Sequence, residues 1–246
     1  MTSNPQQSQP ETENTVDNAT FQTIQAAIFK LWDAVNQLTR IEPPRRERYC
    51  VTVFGSARLT PDTPLYNGVK HLASELTALG CDIVTGGGPG LMQAANEGSV
   101  IADPDDRTQS IGIRVALDFE QETNPFVEQA YCHETFFSRL HHFVLVSDAF
   151  VVVPGGIGTT LEMLTIWQLL QVRQLQHKPL IAIGTMWKDL IDWAETHMVE
   201  TELPMADPAD LTIPHYVDRF EDAVKLLRQS QECWAQKKTA ASAEDL

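Results

Sequence analysis

Short runs of β-branched and other apolar residues alternate along this chain with longer amphipathic stretches. This rhythm is typical of a parallel sheet covered by helices on both faces, so it predicts an α/β fold. The predicted strands are residues 50–54, 82–85, 110–115, 149–153 and 179–183, with a late strand at residues 211–213. The predicted helices are residues 65–79, 89–102, 135–146, 160–174, 187–199 and 220–228.

The two ends of the chain differ from this core in their pattern. Residues 1–20 are rich in Gln, Asn, Thr, Ser and Pro, so we expect a disordered tail there and a second one at residues 236–246. From residue 21 onward, apolar residues recur at helical spacing: Ile24, Ala27, Ile28, Leu31, Trp32, Val35 and Leu38. They predict an amphipathic helix over residues 21–40 that precedes the core. A single domain is then expected to span residues 21–235.

Composition narrows the classes of function. The chain has 246 residues, a formal net charge of −15 and 43% hydrophobic residues. Affinity for a nucleic-acid backbone depends on clustered Lys and Arg, so this acidity argues against a nucleic-acid partner. The four cysteines form no C-x-x-C pair, and no apolar run approaches the length of a membrane helix. We expect a cytoplasmic protein without a secretion signal or a membrane anchor.

Two glycine-rich turns, each directly after a predicted strand, are the strongest chemical signal in the sequence. The first is Gly86-Gly87-Gly88-Pro89-Gly90, and the second is Pro154-Gly155-Gly156-Ile157-Gly158-Thr159. Ligands of open parallel sheets bind at the carboxyl ends of the strands, where helix N-termini point outward. Glycine lets backbone N–H groups approach an anion closely, and a helix start carries roughly half a positive charge. Together the two turns predict a phosphate site, whereas one alone would fit a simple tight turn.

A third turn follows the first predicted strand and contains Gly55 and Ser56. It would lie beside the other two and add a hydroxyl group. The standard nucleotide-binding patterns G-x-G-x-x-G and G-x-x-x-x-G-K-[ST] do not occur in the sequence. Their absence argues against an NAD dehydrogenase and against a P-loop ATPase.

These motifs resemble those of the Lonely guy family of nucleoside 5′-monophosphate phosphoribohydrolases. Residues 154–162 match the family's P-G-G-x-G-T-x-x-E motif, residues 85–98 resemble its G-G-G-P-G-[IL]-M-x-A-A-N-x-G segment, and residues 54–58 resemble its F-G-S-[AS]-R turn. The resemblance spans residues 49–183. It implies a Rossmann-like, doubly wound fold, a homodimer, and cleavage of the N-glycosidic bond of a nucleotide to free base and ribose 5-phosphate. Plant members activate cytokinins, so a cytokinin riboside monophosphate or an AMP-like nucleotide is the implied substrate.

An older label for the family is possible lysine decarboxylase, but no pyridoxal phosphate site is recognisable in this sequence. We therefore expect no cofactor. The contacts to the nucleotide and its phosphate are expected from the three turns: Gly55, Ser56, Gly87, Gly88, Leu91, Met92, Pro154, Gly155, Gly156, Gly158 and Thr159. Among these, Leu91 and Met92 open the helix after the first glycine turn and are the candidates for contact with the base.

Two charged residues are expected to carry the chemistry. A carboxylate near C1′ can stabilise an oxocarbenium-like sugar and help to deprotonate water, and Glu162 is the candidate, kept ionised by a helix start. Thr159-x-x-Glu162 is also the pattern of a capping box, in which the glutamate only satisfies a backbone N–H. The resemblance implies that Arg139, nine residues before Asp148, pairs with Glu162 or binds the ribose. The family's next residue is lysine, but it is Leu140 here, which leaves open a nucleotide carrier or regulator that does not turn over its ligand.

The histidines and phenylalanines near Arg139 are expected to have no direct part in the chemistry. Three histidines lie there: His133, His141 and His142. They lack the i, i+4 pair that zinc favours, so we expect no metal. Nearby phenylalanines are expected to pack in the helix rather than to stack on a base: Phe136, Phe137 and Phe143. The helix predicted at residues 160–174 has more apolar surface than one buried stripe requires, which favours a homodimer interface.

Overall fold

The structure is a computed structural model that describes residues 18–38, 47–116 and 122–244. The chain divides into two units between residues 45 and 46. In the first unit, helix α1 spans Asn18–Leu38, so the N-terminal helix predicted from residue 21 is confirmed and begins three residues earlier. The rest of the predicted N-terminal tail, residues 1–17, lies outside the described residues.

The second unit is built on one parallel sheet. Its strands are β1 Cys50–Phe54, β2 Asp82–Thr85, β3 Ser110–Val115, β4 Gln129–His133, β5 Ala149–Val152, β6 Leu180–Ile183 and β7 Pro214–Val217. Their order in the sheet is β4-β3-β2-β1-β5-β6-β7, and every neighbouring pair is parallel. The predicted α/β fold with a doubly wound parallel sheet is confirmed.

Within residues 47–116 and 122–244, six helices cover this sheet: α2 Pro64–Ala78, α3 Leu91–Ala102, α4 Phe136–Val146, α5 Ile157–Gln171, α6 Thr185–Ala194 and α7 Phe220–Glu244. A π-helical turn, Glu195–Val199, extends α6, and a short 3-10 helix spans Pro208–Thr212. Among the described residues, none of the helices is long and apolar enough to cross a membrane.

The central strands are buried on both faces, which explains their nearly continuous apolar sequences. On one face, residues such as Val51, Val53 and Ile83 pack against α2, α3 and α7. On the other face, Phe54 and Phe150 pack with the buried side chains of α4, α5 and α6. The unit therefore has three layers, with a separate hydrophobic core on each side of the sheet.

The order of the strands fixes the position of the site. The chain proceeds outward from β1 through β2 and β3 to β4, and then returns to the other side of β1 as β5. Helices that follow β1 and β5 therefore depart to opposite faces of the sheet. In open parallel sheets a crevice forms at such a reversal, at the carboxyl ends of the strands, and this is where ligands bind.

Two strands were predicted incorrectly. The edge strand β4 was not predicted, because its sequence is polar and three of its five residues are exposed. The late strand expected at residues 211–213 is wrong. Residues up to Thr212 form the 3-10 helix, which Asp207 begins with a capping box, and the strand follows it at Pro214–Val217.

The predicted disordered tail at residues 236–246 is also wrong as far as Glu244, because α7 continues through it. Trp234 contacts Tyr49 edge to face, with ring centroids 5.7 Å apart. One turn later, Lys238 donates a hydrogen bond to the carbonyl oxygen of Glu47 at 2.8 Å. These contacts with the segment before β1 hold the helix beyond the residues that the apolar pattern predicted.

Gly98 provides a test of how closely α2 and α3 pack. A Cβ at Gly98 would stand 2.1 Å from the backbone oxygen of Lys70, which cannot move without shifting the helix. Gly98→Ala should therefore lower the free energy of unfolding by about 1–3 kcal/mol. Gly158→Ala is the matched control, since nothing lies within 4 Å of its Cβ position. Urea unfolding of both variants measures the difference, and equal stabilities would contradict the close packing.

Candidate functional site

The second glycine turn connects β5 to α5, and α5 begins earlier than the sequence predicts. Its first residue is Ile157, and Gly156 is the N-cap without a side-chain cap. Thr159 and Glu162 are therefore the third and sixth residues of the helix rather than its cap and first turn. The capping box expected as an alternative role for Glu162 does not form.

Backbone N–H groups at this helix start lack partners within the helix. The first intrahelical bond is donated by the N–H of Thr160 to the carbonyl oxygen of Gly156 at 3.0 Å, so the preceding N–H groups have no partner within the helix. Cβ atoms at Gly156 and Gly158 would meet nothing within 4 Å. The fold itself does not require glycine at these two positions, but close approach of an anion to the backbone would.

Gly155 is different, because its neighbours leave no room for a side chain. A Cβ there would stand 2.2 Å from the Oγ1 atom of Thr159, which is 5% exposed. Thr159 thus packs back onto the turn and is not itself open to solvent. Within the predicted phosphate loop, the glycine at 155 shapes the turn, and the glycines at 156 and 158 leave the surface open.

The three turns lie side by side, as their positions in the sequence predict. Ser56 links them, since its N–H donates to the carbonyl oxygen of Pro154 at 3.2 Å and its own carbonyl accepts from the N–H of Leu91 at 2.8 Å. Gly90 has a φ of +71°, and a Cβ there would stand 2.4 Å from the Ser56 carbonyl oxygen. Gly55 is packed equally tightly, with its Cβ position 2.6 Å from Val153.

Leu91 and Met92, the two predicted base contacts, have different environments. Leu91 is fully buried in the core beneath α2 and α3, so its side chain is not at the surface, and the prediction that it meets a base is wrong. Met92 is half-buried, and its sulfur lies beside Gly86. At the start of α3, only Met92 of this pair faces the crevice side of the glycine turn.

Arg139 and Glu162 meet in the same place. Arg139 extends from α4, and its Nη1 lies 3.3 Å from the Oε1 of Glu162, with 14% and 11% of the two side chains exposed. The Arg139 Nε also donates to the carbonyl oxygen of Ile113, in the second half of β3, at 2.8 Å. Its guanidinium lies over the ring of Phe143 and against Gly86. Contacts with the backbone, an aromatic ring and the glycine turn thus fix the guanidinium beside the carboxylate of Glu162.

Burial dominates the electrostatics of this pair. It raises the pKa of Glu162 to about 7, and the positive charge of Arg139 opposes this only in part. Burial also lowers the pKa of Arg139, although an arginine stays protonated at physiological pH. The expectation that the helix start keeps Glu162 fully ionised is therefore not met. Instead the carboxyl group titrates near neutral pH, where a group can both accept and return a proton.

A network of buried amides holds the first glycine turn, and sequence reasoning missed it. Asn124 donates from Nδ2 to the carbonyl oxygen of Gly88 and to Oδ1 of Asn96, each at 3.0 Å. Asn96 is fully buried, and it also accepts from Thr85 at 2.7 Å and donates to Ser110 at 2.8 Å. The only signal in the sequence was an asparagine within the apolar α3.

A second arginine near the first turn was also missed. A Cβ at Gly87 would stand 3.1 Å from the Cγ of Arg114, which belongs to β3. Arg114 donates from Nη1 to Thr123 at 2.7 Å. Two arginines, Arg114 and Arg139, therefore lie against consecutive glycines of the same turn.

Asp148 and Leu140, the two positions that the family pattern relates to Arg139, do not join Arg139 at the site. Asp148 accepts a hydrogen bond from the N–H of Cys50 at 2.9 Å. Cys50 is at the amino end of β1, so this contact lies at the opposite ends of the strands from the glycine turns. Leu140, in place of the family lysine, is half-buried. Because successive residues of a helix differ by about 100° in direction, Leu140 does not share the direction of Arg139.

Aromatic residues of α4 differ from their predicted packing roles. Phe143 is fully buried as expected, but Phe136 is 47% and Phe137 is 75% exposed. His133 and His142 lie near them, with Nε2 of the first 2.8 Å from Nδ1 of the second. Within residues 18–38, 47–116 and 122–244, no group of three or more His, Cys, Asp and Glu side chains is arranged to hold a metal ion.

An apolar face of α5 is not covered by the part of the chain that the structure describes. Thr159, Glu162, Met163 and Ile166 face inward, whereas Leu161 and Leu164 are 47% and 45% exposed. Beside Leu164, a groove of about 400 Å³ separates α5 from α6 and is lined by Trp167, Leu190, Trp193 and Met198. This face is the surface that the sequence predicts for a dimer interface.

Residues 92–227 match the model of a protein family described as possible lysine decarboxylase. The match contains Arg139 and Glu162 and covers more than half of the 246 residues. The chain belongs to this family. It is the family that the P-G-G-x-G-T-x-x-E motif indicates, so the resemblance to Lonely guy proteins is confirmed.

Curated relatives of this chain have names that describe an activity on nucleotides. The pyrimidine/purine nucleotide 5′-monophosphate nucleosidases of Escherichia coli strains K12 and O157:H7 are each 25% identical to this chain over 185 residues. The alignment covers 73% of this chain but only 39% of the relative. The chain therefore spans about two fifths of the length of the curated relatives that it matches.

Solved structures confirm the fold. The molybdenum cofactor binding protein of Rippkaea orientalis has a TM-score of 0.57 and 18% identity, with 75% of this chain and 98% of that chain covered. The molybdenum cofactor carrier protein of Chlamydomonas reinhardtii has a TM-score of 0.55 and 17% identity over the same shares.

Replacing Gly86 should displace Arg139 and move the pKa of Glu162. The new Cβ of Gly86→Ala would stand 2.3 Å from Nη2 of Arg139 and 2.6 Å from the sulfur of Met92, and both atoms end flexible side chains. The positive charge of Arg139 lowers the pKa of Glu162, so its withdrawal should raise that pKa above about 7. An NMR titration of the Glu162 carboxyl carbon measures the midpoint.

Gly156→Ala is the control for this titration, because its Cβ meets nothing and leaves Arg139 in place. Its midpoint should equal that of the unmodified protein. A midpoint in Gly86→Ala that stays the same or falls would contradict the proposed electrostatic contact.

Proposed function

We propose that this protein is a hydrolase that cleaves the N-glycosidic bond of a nucleoside 5′-monophosphate, giving free base and ribose 5-phosphate. The observation that carries the proposal is the buried Arg139–Glu162 pair beside an open helix N-terminus at the crevice of the sheet. Membership of the family and the name of the E. coli relatives support it. The free, exposed thiols of Cys132 and Cys233 fit the cytoplasm as its compartment.

In this proposal the phosphate binds the second glycine turn. The N–H groups of residues 156–159 would donate to its oxygens, and the helix start would add its partial positive charge. Gly156 and Gly158 leave the surface open for the phosphate, while Pro154, Gly155 and Thr159 shape the turn. Ser56 lies within reach of this region, since its backbone already bonds to Pro154.

Glu162 would act at the ribose. Cleavage of the C1′–N bond leaves the electron pair on the base and positive charge on C1′ and the ring oxygen, and water must add to C1′ as that bond breaks. An ionised Glu162 can stabilise the charge and accept the proton of the water. A pKa of about 7 lets it do so at neutral pH and then return that proton, which neutralises the electron pair left on the base. Arg139 would orient the carboxylate and donate to a ribose hydroxyl.

The first glycine turn would form the opposite wall, against the base. Met92 beside Gly86 supplies an apolar surface there, and the backbone of Gly87 and Gly88 is fixed by Asn124. Phe136, on the same face of α4 as Arg139 and 47% exposed, is a second candidate for stacking. The apolar side chains of Met92 and Phe136 could contact the face of a purine, so an AMP-like nucleotide or a cytokinin riboside monophosphate is the proposed substrate.

A second candidate is a carrier or regulator that binds a nucleotide-like ligand without cleaving it. Two observations favour it: Leu140 replaces the family lysine, and the fold resembles that of two proteins whose names describe binding or carrying the molybdenum cofactor. In this case the glycine turns would still hold a phosphate. The Arg139–Glu162 pair would then only position the ligand.

The proposed assembly is a homodimer formed through the exposed face of α5. Leu161 and Leu164 on this face continue into the apolar groove between α5 and α6. A contiguous exposed apolar surface of this kind marks an interaction site. The same helix carries Glu162, so the dimer would also fix the helix that positions the carboxylate.

Turnover is tested directly by incubating the protein with a panel of purine, pyrimidine and cytokinin monophosphates. We expect release of free base and ribose 5-phosphate from at least one purine monophosphate, at a rate that falls as the pH is lowered through about 7, because Glu162 becomes protonated. Glu162→Gln should retain binding and lower kcat by at least about 100-fold. Chromatography of the products measures both effects.

The outcomes separate the two candidates. Tight binding of a monophosphate by calorimetry, without release of any base, would support the carrier and overturn the hydrolase. If base is released and Glu162→Gln is as active as the unmodified protein, the assigned role of Glu162 is wrong.

The dimer is tested by placing charge on α5. Leu161→Glu combined with Leu164→Glu should raise the dissociation constant of the dimer by at least about tenfold, because two charges would be desolvated in the contact. Sedimentation equilibrium measures the constant. Ile101→Glu is the matched control, since Ile101 is also exposed, at 58%, but belongs to α3 on the opposite face of the sheet. Equal constants in both variants would exclude this face as the interface.

A further inference from the structure

A buried threonine holds the peptide between Gly86 and Gly87 in one orientation. The N–H of Gly87 donates a hydrogen bond to Oγ1 of Thr85 at 2.9 Å. Thr85 donates its only hydroxyl proton to Oδ1 of Asn96 at 2.7 Å, so its oxygen acts towards Gly87 as an acceptor. Thr85 and Asn96 are both fully buried. Because consecutive glycines otherwise have wide conformational freedom, this bond selects one orientation of the peptide.

The orientation of this peptide fixes the direction of the Gly86 carbonyl group. The peptide is trans, and the C=O and the following N–H of a trans peptide point in opposite directions. The N–H points to Thr85, whose side chain bonds to α3, so the carbonyl oxygen points away from α3. Arg139 and Glu162 belong to α4 and α5, which pack on the other face of the sheet. The carbonyl oxygen is therefore directed to the side of the turn where these two residues meet.

A hydrogen-bond acceptor and a guanidinium group thus lie side by side at Gly86. This glycine is half-buried, and no group among the described residues donates a hydrogen bond to its carbonyl oxygen. The ideal Cβ position of Gly86 is 2.3 Å from Nη2 of Arg139, so the guanidinium borders the backbone of the turn. The Nε of Arg139 binds the backbone of Ile113 and its Nη1 approaches Glu162, which leaves Nη2 to face the turn.

This combination of groups suits a hydroxyl. Arginine only donates hydrogen bonds and a backbone carbonyl only accepts them, whereas a hydroxyl does both. A hydroxyl of the ligand can therefore accept from Nη2 of Arg139 and donate to the oxygen of Gly86. The ribose 2′-hydroxyl is on the carbon next to C1′, where Glu162 would act. Since Glu162 lies 3.3 Å from Nη1 of Arg139, the 2′-hydroxyl is the ribose hydroxyl that this pair of groups would meet.

We propose that the Gly86 carbonyl oxygen and Arg139 bind the 2′-hydroxyl of the ribose, so that the site selects ribonucleotides over 2′-deoxyribonucleotides. This assignment rests on the proposed function, because it places C1′ at Glu162. Gly86 makes the specific contact, and Thr85 is a positioning residue that acts through the peptide. Hydrogen bonds to this hydroxyl strengthen as the C1′–N bond breaks, so they favour the transition state as well as binding.

Binding of two sugar phosphates tests the proposal without any turnover. Ribose 5-phosphate and 2-deoxyribose 5-phosphate differ only in the hydroxyl in question, and neither contains a glycosidic bond to a base. Calorimetry with the unmodified protein should show at least about tenfold tighter binding of ribose 5-phosphate, because the deoxy sugar leaves the carbonyl and the guanidinium unpaired. Equal affinities would overturn the proposal and leave the nucleosidase activity unaffected. Binding of neither sugar phosphate would overturn the proposal together with the phosphate site.

Thr85→Val tests the positioning role with the same two sugar phosphates. Valine keeps the shape of the side chain but lacks the hydroxyl that accepts from Gly87, so most of the preference for ribose 5-phosphate should disappear. Thr85→Ser keeps the hydroxyl and should keep the preference. Ser110→Ala is the matched control, because Ser110 also bonds to Asn96, at 2.8 Å, but not to the glycine turn.

Ser110→Ala should therefore bind the two sugar phosphates as the unmodified protein does. Circular dichroism checks that each variant is folded. A preference that survives in Thr85→Val, or that is equally lost in Ser110→Ala, would show that Thr85 does not position Gly86. If Thr85→Val does not fold, the comparison in the unmodified protein still decides whether the 2′-hydroxyl is recognised.

Discussion

The candidate site depends on one buried contact, the ion pair between Arg139 and Glu162. Glu162 belongs to α5, which follows the central strand β5. Arg139 belongs to α4 and donates a hydrogen bond to the carbonyl oxygen of Ile113 in β3. Burial of a carboxylate is costly, and the attraction of the arginine offsets only part of that cost, which is why the pKa of Glu162 remains near 7. Removing either partner would leave an uncompensated charge at the crevice. The proposed reaction depends on this burial, because the raised pKa lets Glu162 accept and return a proton near neutral pH.

The glycine turns around the pair divide into two physical classes. Gly55, Gly90 and Gly155 are required by the fold, because a side chain at any of them would collide with a neighbour. Gly156 and Gly158 are not required by any neighbour among the described residues, since their Cβ positions are open. The glycines of the first class bring the three turns together at the carboxyl ends of the strands. The second class leaves backbone donors accessible, which is the property expected of a phosphate site.

Much of the fold could be predicted because its central strands are buried on both faces. The predictions for β1, β2 and β3 agree with the structure at both ends, whereas the exposed edge strand β4 has no apolar pattern and was missed. At the site, the motif indicated Arg139 and Glu162, but the capping box was misleading because α5 begins at Ile157. The Asn96–Asn124 network could not be predicted, since it joins residues that are distant in sequence and meet only in the folded chain.

In the proposed complex, one nucleotide binds the second glycine turn with its ribose at Glu162. A crystal structure of Glu162→Gln with a soaked nucleoside 5′-monophosphate tests it most directly, because the substitution retains the shape of the side chain and slows cleavage. We expect phosphate oxygens within hydrogen-bond distance of the N–H groups of residues 156–159, C1′ beside the side chain at position 162, and the base against Met92. A nucleotide bound elsewhere, or with its ribose turned away from position 162, would show that this binding mode is wrong.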